Sequence, residues 1–190
     1  MFNMIAAVSQ NGIIGINDGI PWRCRADMQH FKKTTMDNIV VMGRKTYDSL
    51  FNFMKDKSKE PLPGRTKYIL TRNPENFKVS FPSMFPVNVT NPHEFALLLK
   101  NTYPEKEIFV IGGSEIYFQF VGYYDRIYLT RIQCNYTPEN KNDEVFYLPL
   151  NDNVLSANYD LIYKDSHSYD SENESSMIFE QWGLKNLYGK

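Results

Sequence analysis

A carboxylate that trades protons with a bound heterocycle must be kept from water, and "IGINDGIPWRCRADMQHF", residues 14–31, offers one. Asp27 falls in the first turn of an expected helix, and Phe31, four residues on, shares its face with Met28 alongside. The helix dipole alone would accommodate an acid there. Pro21 and Trp22 place a rigid turn and a large ring beside it, however, and a carboxyl in such a setting loses water and has its pKa raised. A raised pKa suits proton handling near neutrality. Thr130, on the strand of "YLTR", is the expected hydrogen-bond partner across the site.

Other motifs speak for an anion. "VIGGSEIY", residues 110–117, sets two glycines between an apolar strand and a helix, with Ser114 at the expected cap. Backbone can approach a phosphate closely there, and the helix start supplies free N–H donors. "VMGRKT", residues 41–46, repeats the device with Gly43 followed by Arg44 and Lys45. Two cations at a helix start oppose its dipole unless an anion joins them. "YILTRN", residues 68–73, adds Thr71 and Arg72 at a strand end. Ligands collect at strand C-termini in open α/β sheets, so these ends imply a polyphosphate-bearing cofactor, while the absence of GxGxxG excludes the common dinucleotide fingerprint. "PLPGR", residues 61–65, holds Arg65 after a proline-stiffened turn, where a fixed guanidinium can grip a carboxylate. His30, His93 and His167 share no ligand spacing, and no metal site is expected.

These residues need a scaffold. A chain of 190 residues with 42% hydrophobic and 15% aromatic content can bury one substantial core, and one domain over residues 1–190 is expected. A net charge of −1 gives no field for nucleic acid. The cysteines, Cys24 and Cys134, lack CxxC spacing and read as reduced thiols. The N-terminal apolar run has no positive leader and is too short to span a bilayer, so a soluble cytoplasmic protein is expected.

Apolar runs alternate with helical periodicity, the pattern of an α/β domain. Strands are expected at 2–9, 38–42, 67–71, 86–89, 107–111 and 125–132, and helices at 26–34, 45–50, 92–101 and 115–120. Asn91, Pro92 and Glu94 mark the third helix start. Residues 158–164 and 175–182, joined by "DSHSYDSENE", read as a terminal hairpin. The expected architecture is a central, mostly parallel sheet ending in an antiparallel C-terminal hairpin, with helices on both faces. Residues 51–61 read as a surface excursion.

Taken together, "MIAAVSQNGIIG", "GIPWRCRADMQHFKKTT", "VVMGRKTYDSL", "PLPGRTKYILTRN", "FVIGGSEIYFQF" and "RIYLTRI" stand in an order and spacing that resembles the dihydrofolate reductase family. The resemblance implies hydride transfer from NADPH to C6 of the dihydrofolate pterin with protonation of N5. By that likeness Asp27 is the pocket acid facing the pterin amino group and N3, Trp22 holds a water, and the loop from Ser9 to Arg23 closes over the nicotinamide. Ile5, Ala6, Ala7, Met28, Phe31, Leu62, Ile111, Tyr117 and Thr130 match the pterin and benzoyl pocket, and Arg65 matches the clamp on the glutamate α-carboxylate. Gly43, Arg44, Lys45, Thr46, Thr71 and Arg72 match positions around the pyrophosphate and 2′-phosphate. Gly112, Gly113, Ser114, Glu115 and Ile116 match a second phosphate turn whose Gly112–Gly113 peptide is cis. The likeness also makes Ala7, Ile14, Gly15 and Tyr117 cofactor contacts and sets Gln119 on the adenine side. The implied partner is the small-molecule substrate, with a monomeric state and neither nucleic acid nor membrane. The sequence departs from the family pattern at Cys24 and Arg25, in the lengthened loop 51–60, and in residues after Glu180. Two rival readings are the pyrimidine reductase of riboflavin synthesis and a noncatalytic module that binds pterin and NADPH without turnover.

Overall fold

The structure is a computed structural model and describes residues 1–185. Ten strands and five α-helices follow in the order β1 (Phe2–Ser9), β2 (Ile13–Ile16), α1 (Arg25–Thr35), β3 (Ile39–Gly43), α2 (Arg44–Phe53), β4 (Thr66–Leu70), β5 (Met84–Val87), α3 (Pro92–Thr102), β6 (Ile108–Val110), α4 (Ser114–Gln119), β7 (Arg126–Ile132), β8 (Val145–Tyr147), α5 (Asp152–Asn158), β9 (Tyr159–His167) and β10 (Met177–Leu184). Eight strands form one sheet in the order β5-β4-β3-β6-β1-β7-β10-β9. From β5 to β7 all pairings are parallel, and β10 is antiparallel to both β7 and β9. This is the expected layout.

Parallel strands need both faces covered, which is why β3 and β6 are buried throughout. One face carries Met4, Val41 and Leu129 against Phe95 and Leu99 of α3, Tyr117 of α4 and Leu155 of α5. The other carries Ile5, Val40, Met42 and Phe109 against Tyr47 of α2 and Phe31 of α1. Alternation along β1 therefore assigns Ala6 to the first layer, while Ile5 faces α1 and α2 and Ala7 packs against the Trp22 cluster.

Several elements differ from the sequence reading. Helix α2 runs on to Phe53, absorbing the first residues of the supposed surface excursion. β5 lies two residues earlier than expected, and β10 extends to Leu184, so the first four residues after Glu180 complete a strand between β7 and β9. Residues 186–190 of the unassigned tail lie outside the described residues. Three elements have no counterpart in that reading: α5, and the short strands β2 and β8, which pair with each other. The segment Ser9–Arg23 is therefore strand-bound in part: Gly15 pairs with Phe146, and the Asn17 amide donates to the Glu144 carbonyl at 2.7 Å.

Candidate active site

Asp27 enters the site because α1 lies across the face of β7. The side chain is only 8% exposed. Thr130, buried on β7 in register with Ala7 of β1, hydrogen-bonds the carboxyl group. Burial pushes the acid up to about 6, and the Thr130 bond offsets only part of that rise. Tyr117 lies across the first sheet layer with its hydroxyl donating to the Ile5 carbonyl at 2.8 Å; burial first, and the charge of Asp27 second, keep its phenol protonated.

The start of α1 is held from far along the chain. No side chain of its own N-cap region makes a capping bond; instead the Asn173 side-chain oxygen accepts from the Ala26 amide at 2.8 Å. Asn173 sits in the β9–β10 turn, where its amide nitrogen donates to Asp170 at 2.7 Å, and Glu172 pairs with Arg25. Arg25 thus has a partner in this chain. A cleft of about 750 Å3 runs between residues 20–28 and this turn, with Trp22, Cys24, Asp27 and Met28 on one wall and Tyr169 and Glu174 on the other. That volume lies within the range of small-molecule sites. The Trp22 indole N–H is buried without a protein acceptor among the described residues. A donor left so can serve a water or ligand.

Ile5, Phe31, Leu62 and Ile111 come together in one apolar cluster. Leu50 and Phe51 pack there too; Leu50 falls in the expected helix but carries no pocket signal by residue type, and Phe51 falls in the expected surface excursion, which α2 absorbs. Met28, expected on the buried face with Asp27 and Phe31, is 55% exposed at the cleft. Its position one residue past Asp27 rotates it about 100° toward solvent. Ala6 faces the opposite layer of the sheet from Ile5.

Arg65 is buried, and its guanidinium is set by three neutral acceptors: Thr35 Oγ1 at 3.1 Å, the Pro63 carbonyl at 2.8 Å and the Lys32 carbonyl at 2.9 Å. Burial lowers its pKa and the Asp37 charge pulls the other way. No carboxylate forms an ion pair with it among the described residues. A cation fixed by neutral oxygens keeps donors for an incoming anion.

The two glycine turns meet. The Gly43 amide donates to the Gly112 carbonyl at 2.8 Å, and the Gly112–Gly113 peptide is cis. Gly112 adopts φ +114°, and a Cβ there would stand 3.3 Å from the Tyr117 ring. A Cβ on Gly113 would meet the Thr46 hydroxyl at 3.3 Å. Neither α2 nor α4 has a side-chain cap, so their first N–H groups stay available to an anion. Ser114, expected to cap α4, is instead its first residue, with Gly113 at the cap; its hydroxyl donates to the Tyr147 carbonyl at 2.7 Å. Arg44 and Lys45 have acidic neighbours, Asp48 at 3.4 Å and Glu144 at 3.3 Å, in exposed pairs that a phosphate can displace. Ile116 packs on Gly43, Ile14 is half-buried against the first core layer, and Glu115 is exposed. Thr71 follows directly on β4 with its hydroxyl accepting from the Asn73 amide, Arg72 is exposed, and Gln119 donates to the Val89 carbonyl at 3.4 Å. Among the described residues no cluster of His, Cys, Asp and Glu could hold a metal, and no helix is long and apolar enough to cross a membrane.

Comparison with known proteins gives consistent matches. The family model described as dihydrofolate reductase matches residues 1–183. Dihydrofolate reductase type 9 of Escherichia coli is 34% identical over 145 residues, which cover 74% of this chain and 75% of that protein. The dihydrofolate reductase of Buchnera aphidicola subsp. Schizaphis graminum is 30% identical over 183 residues, 94% of this chain and 96% of that one. The solved structure of dihydrofolate reductase from Enterococcus faecalis, complexed with NADP(H) and RAB-propyl, shares the fold with a TM-score of 0.80 at 22% identity, covering 98% of this chain and 97% of that one.

Proposed function

The chain belongs to the dihydrofolate reductase family, and we propose on that premise how its own residues carry the NADPH-dependent reduction of dihydrofolate to tetrahydrofolate. Asp27 is the acid that receives the amino group and N3 of the pterin, with Thr130 holding its carboxyl group in place. Its burial beside Thr130, with a pKa raised to about 6, is the observation that carries this reading; the 750 Å3 cleft reaches Asp27 from the Trp22 side, away from the Ile5, Phe31, Leu62 and Ile111 cluster. A carboxyl half-protonated near pH 6 can favour a proton at pterin N5 while the apolar walls limit competing water. The free indole N–H of Trp22 is placed to hold the water that delivers that proton.

Ile5, Phe31, Leu62 and Ile111, with Leu50 added, wall the pterin and benzoyl portions, and Arg65 takes the α-carboxylate through its remaining N–H groups. The cofactor fits the residues present: uncapped helix starts at α2 and α4, joined by the Gly43–Gly112 bond, with Arg44, Lys45, Thr46, Thr71 and Arg72 around them. These groups would hold the pyrophosphate and the 2′-phosphate, favouring NADPH over NADH. When bound, the reduced nicotinamide supplies hydride to pterin C6. The chain acts as a single domain over residues 1–190, a cytoplasmic monomer that does not bind nucleic acid; the balanced charge and a site built within one chain support this.

The deciding experiment follows NADPH oxidation with dihydrofolate and, separately, with the ribosylaminopyrimidine of riboflavin synthesis. Turnover on dihydrofolate alone is expected. Turnover on the ribosylaminopyrimidine, or binding of both ligands with no turnover, would overturn the reading.

A further inference from the structure

Lys67, on β4, is fully buried at 0% exposure. A lysine is almost never found so unless its charge is matched. Its ammonium has three donors, and all three have acceptors: Glu60 Oε1 at 3.0 Å, the Arg65 carbonyl at 2.8 Å and the Leu62 carbonyl at 3.2 Å. The same Glu60 oxygen accepts from the Ser83 hydroxyl, and the Lys67 amide donates to the Ser83 carbonyl at 2.8 Å. One charge thus gathers the whole turn from Glu60 to Arg65 and ties it to the neighbouring segment before β5.

The carbonyls it holds belong to residues of the site. Arg65 is the guanidinium beside the substrate's acidic end, and Leu62 belongs to the apolar wall. Leu62 also stands at φ +49°, in the left-handed region that a branched side chain rarely adopts. Such a conformation persists only where surroundings hold it. Glu60 comes from the lengthened loop 51–60, so the extension supplies the carboxylate that makes a buried lysine tolerable.

We infer that the buried Lys67–Glu60 pair is a positioning device for substrate recognition, setting the Leu62 and Arg65 backbone so that the guanidinium meets the carboxylate of dihydrofolate. The inference rests on Arg65 being the carboxylate clamp. Burial lowers the pKa of Lys67 while the hydrogen bond and charge of Glu60 oppose that shift; burial raises Glu60, and the Ser83 and Lys67 bonds outweigh it and hold the carboxyl below its ordinary value.

The test compares KM and kcat for dihydrofolate with those for a dihydropterin bearing only a methyl group in place of the aminobenzoylglutamate arm. Lys67→Met and Glu60→Gln are expected to raise KM for dihydrofolate by about tenfold, with less effect on kcat and less than about a twofold change in KM for the short pterin. Equal losses on both substrates would reveal general damage to the fold and overturn the positioning role, as would unchanged KM values. Should Lys67→Met fail to fold, Glu60→Gln, which keeps the two carbonyl bonds, decides by the same criterion. Arg65→Leu is the control. If it leaves KM for dihydrofolate unchanged, the clamp itself is wrong; if it raises KM while the other two variants do not, only the positioning role falls.

Discussion

The Asn173 side-chain oxygen accepts from the Ala26 amide across 147 residues of sequence, so the helix bearing the active-site acid is capped by the turn between the last two strands. The bond fixes the residue immediately before Asp27, and the opposite side of the Asn173 amide is held by Asp170 at 2.7 Å. Removing it leaves a helix-start N–H without its side-chain acceptor and takes away the one buried side chain that ties the exposed turn to the helix. Asn173→Ala should cost about 1–2 kcal/mol in urea unfolding and lower kcat/KM for dihydrofolate. Glu172→Ala, which removes only the exposed pair with Arg25, should cost less than about 0.5 kcal/mol. Equal losses in the two variants would show that the cap does not set the helix.

Asp27 couples function to stability in a direction that can be measured. Its pKa is higher folded, about 6, than its ordinary 3.8, so between those values the folded protein binds more protons than the unfolded chain. Stability therefore falls as pH rises through that window. Above it the cost levels off at about 3 kcal/mol. Asp27→Asn cannot ionise, so it should unfold at higher denaturant than the wild type near pH 8, by up to about that amount, and match it near pH 4. Its turnover with NADPH and dihydrofolate should be severely reduced at neutral pH and partly recover on acidification, as solvent supplies the protonated substrate. Wild-type turnover should decline as pH climbs past about 6. Equal rates at neutral pH would remove Asp27 from the mechanism.

Arg65 offers a separable test of recognition. Its guanidinium is positioned by three neutral oxygens, so its charge is uncommitted within the described residues. Charge-assisted bonds to a carboxylate contribute about 2–3 kcal/mol, so Arg65→Leu should raise KM for dihydrofolate by roughly 30- to 150-fold while kcat changes far less. A loss of kcat with KM preserved would place Arg65 outside substrate binding.

Where sequence periodicity was legible, it was because burial is strong and local. β1, β3, β6 and β7 are apolar runs between covered faces, and Asn91 marks its helix by accepting from His93 and Glu94. The short strands β2 and β8 were not, since four and three residues carry little pattern and their pairing spans more than a hundred positions. α5 is only seven residues long. Asp27, Arg65 and the glycine turns could be picked out by residue type. Asn173 and Lys67 could not, because an asparagine in a polar turn and a lysine on a strand look like surface residues until the fold shows what they touch.

Gly43 joins the two candidate phosphate turns, and its lack of a side chain can be tested by a coupled pair of substitutions. Its φ of −74° is open to any residue, so the constraint is space rather than backbone conformation. A Cβ would stand 3.0 Å from Cγ1 of Ile116, while the Gly43 amide donates to the Gly112 carbonyl at 2.8 Å. Gly43→Ala must therefore push Ile116 or pull the α2 and α4 helix starts apart, with an expected cost of about 1–3 kcal/mol and a raised KM for NADPH. Ile116→Ala removes the colliding branch. If crowding is the cause, Gly43→Ala combined with Ile116→Ala should lose less stability and less NADPH affinity than the sum of the single variants. Strict additivity would mean that the turns are held apart by something other than this contact, and the packed glycine would then say nothing about the cofactor site.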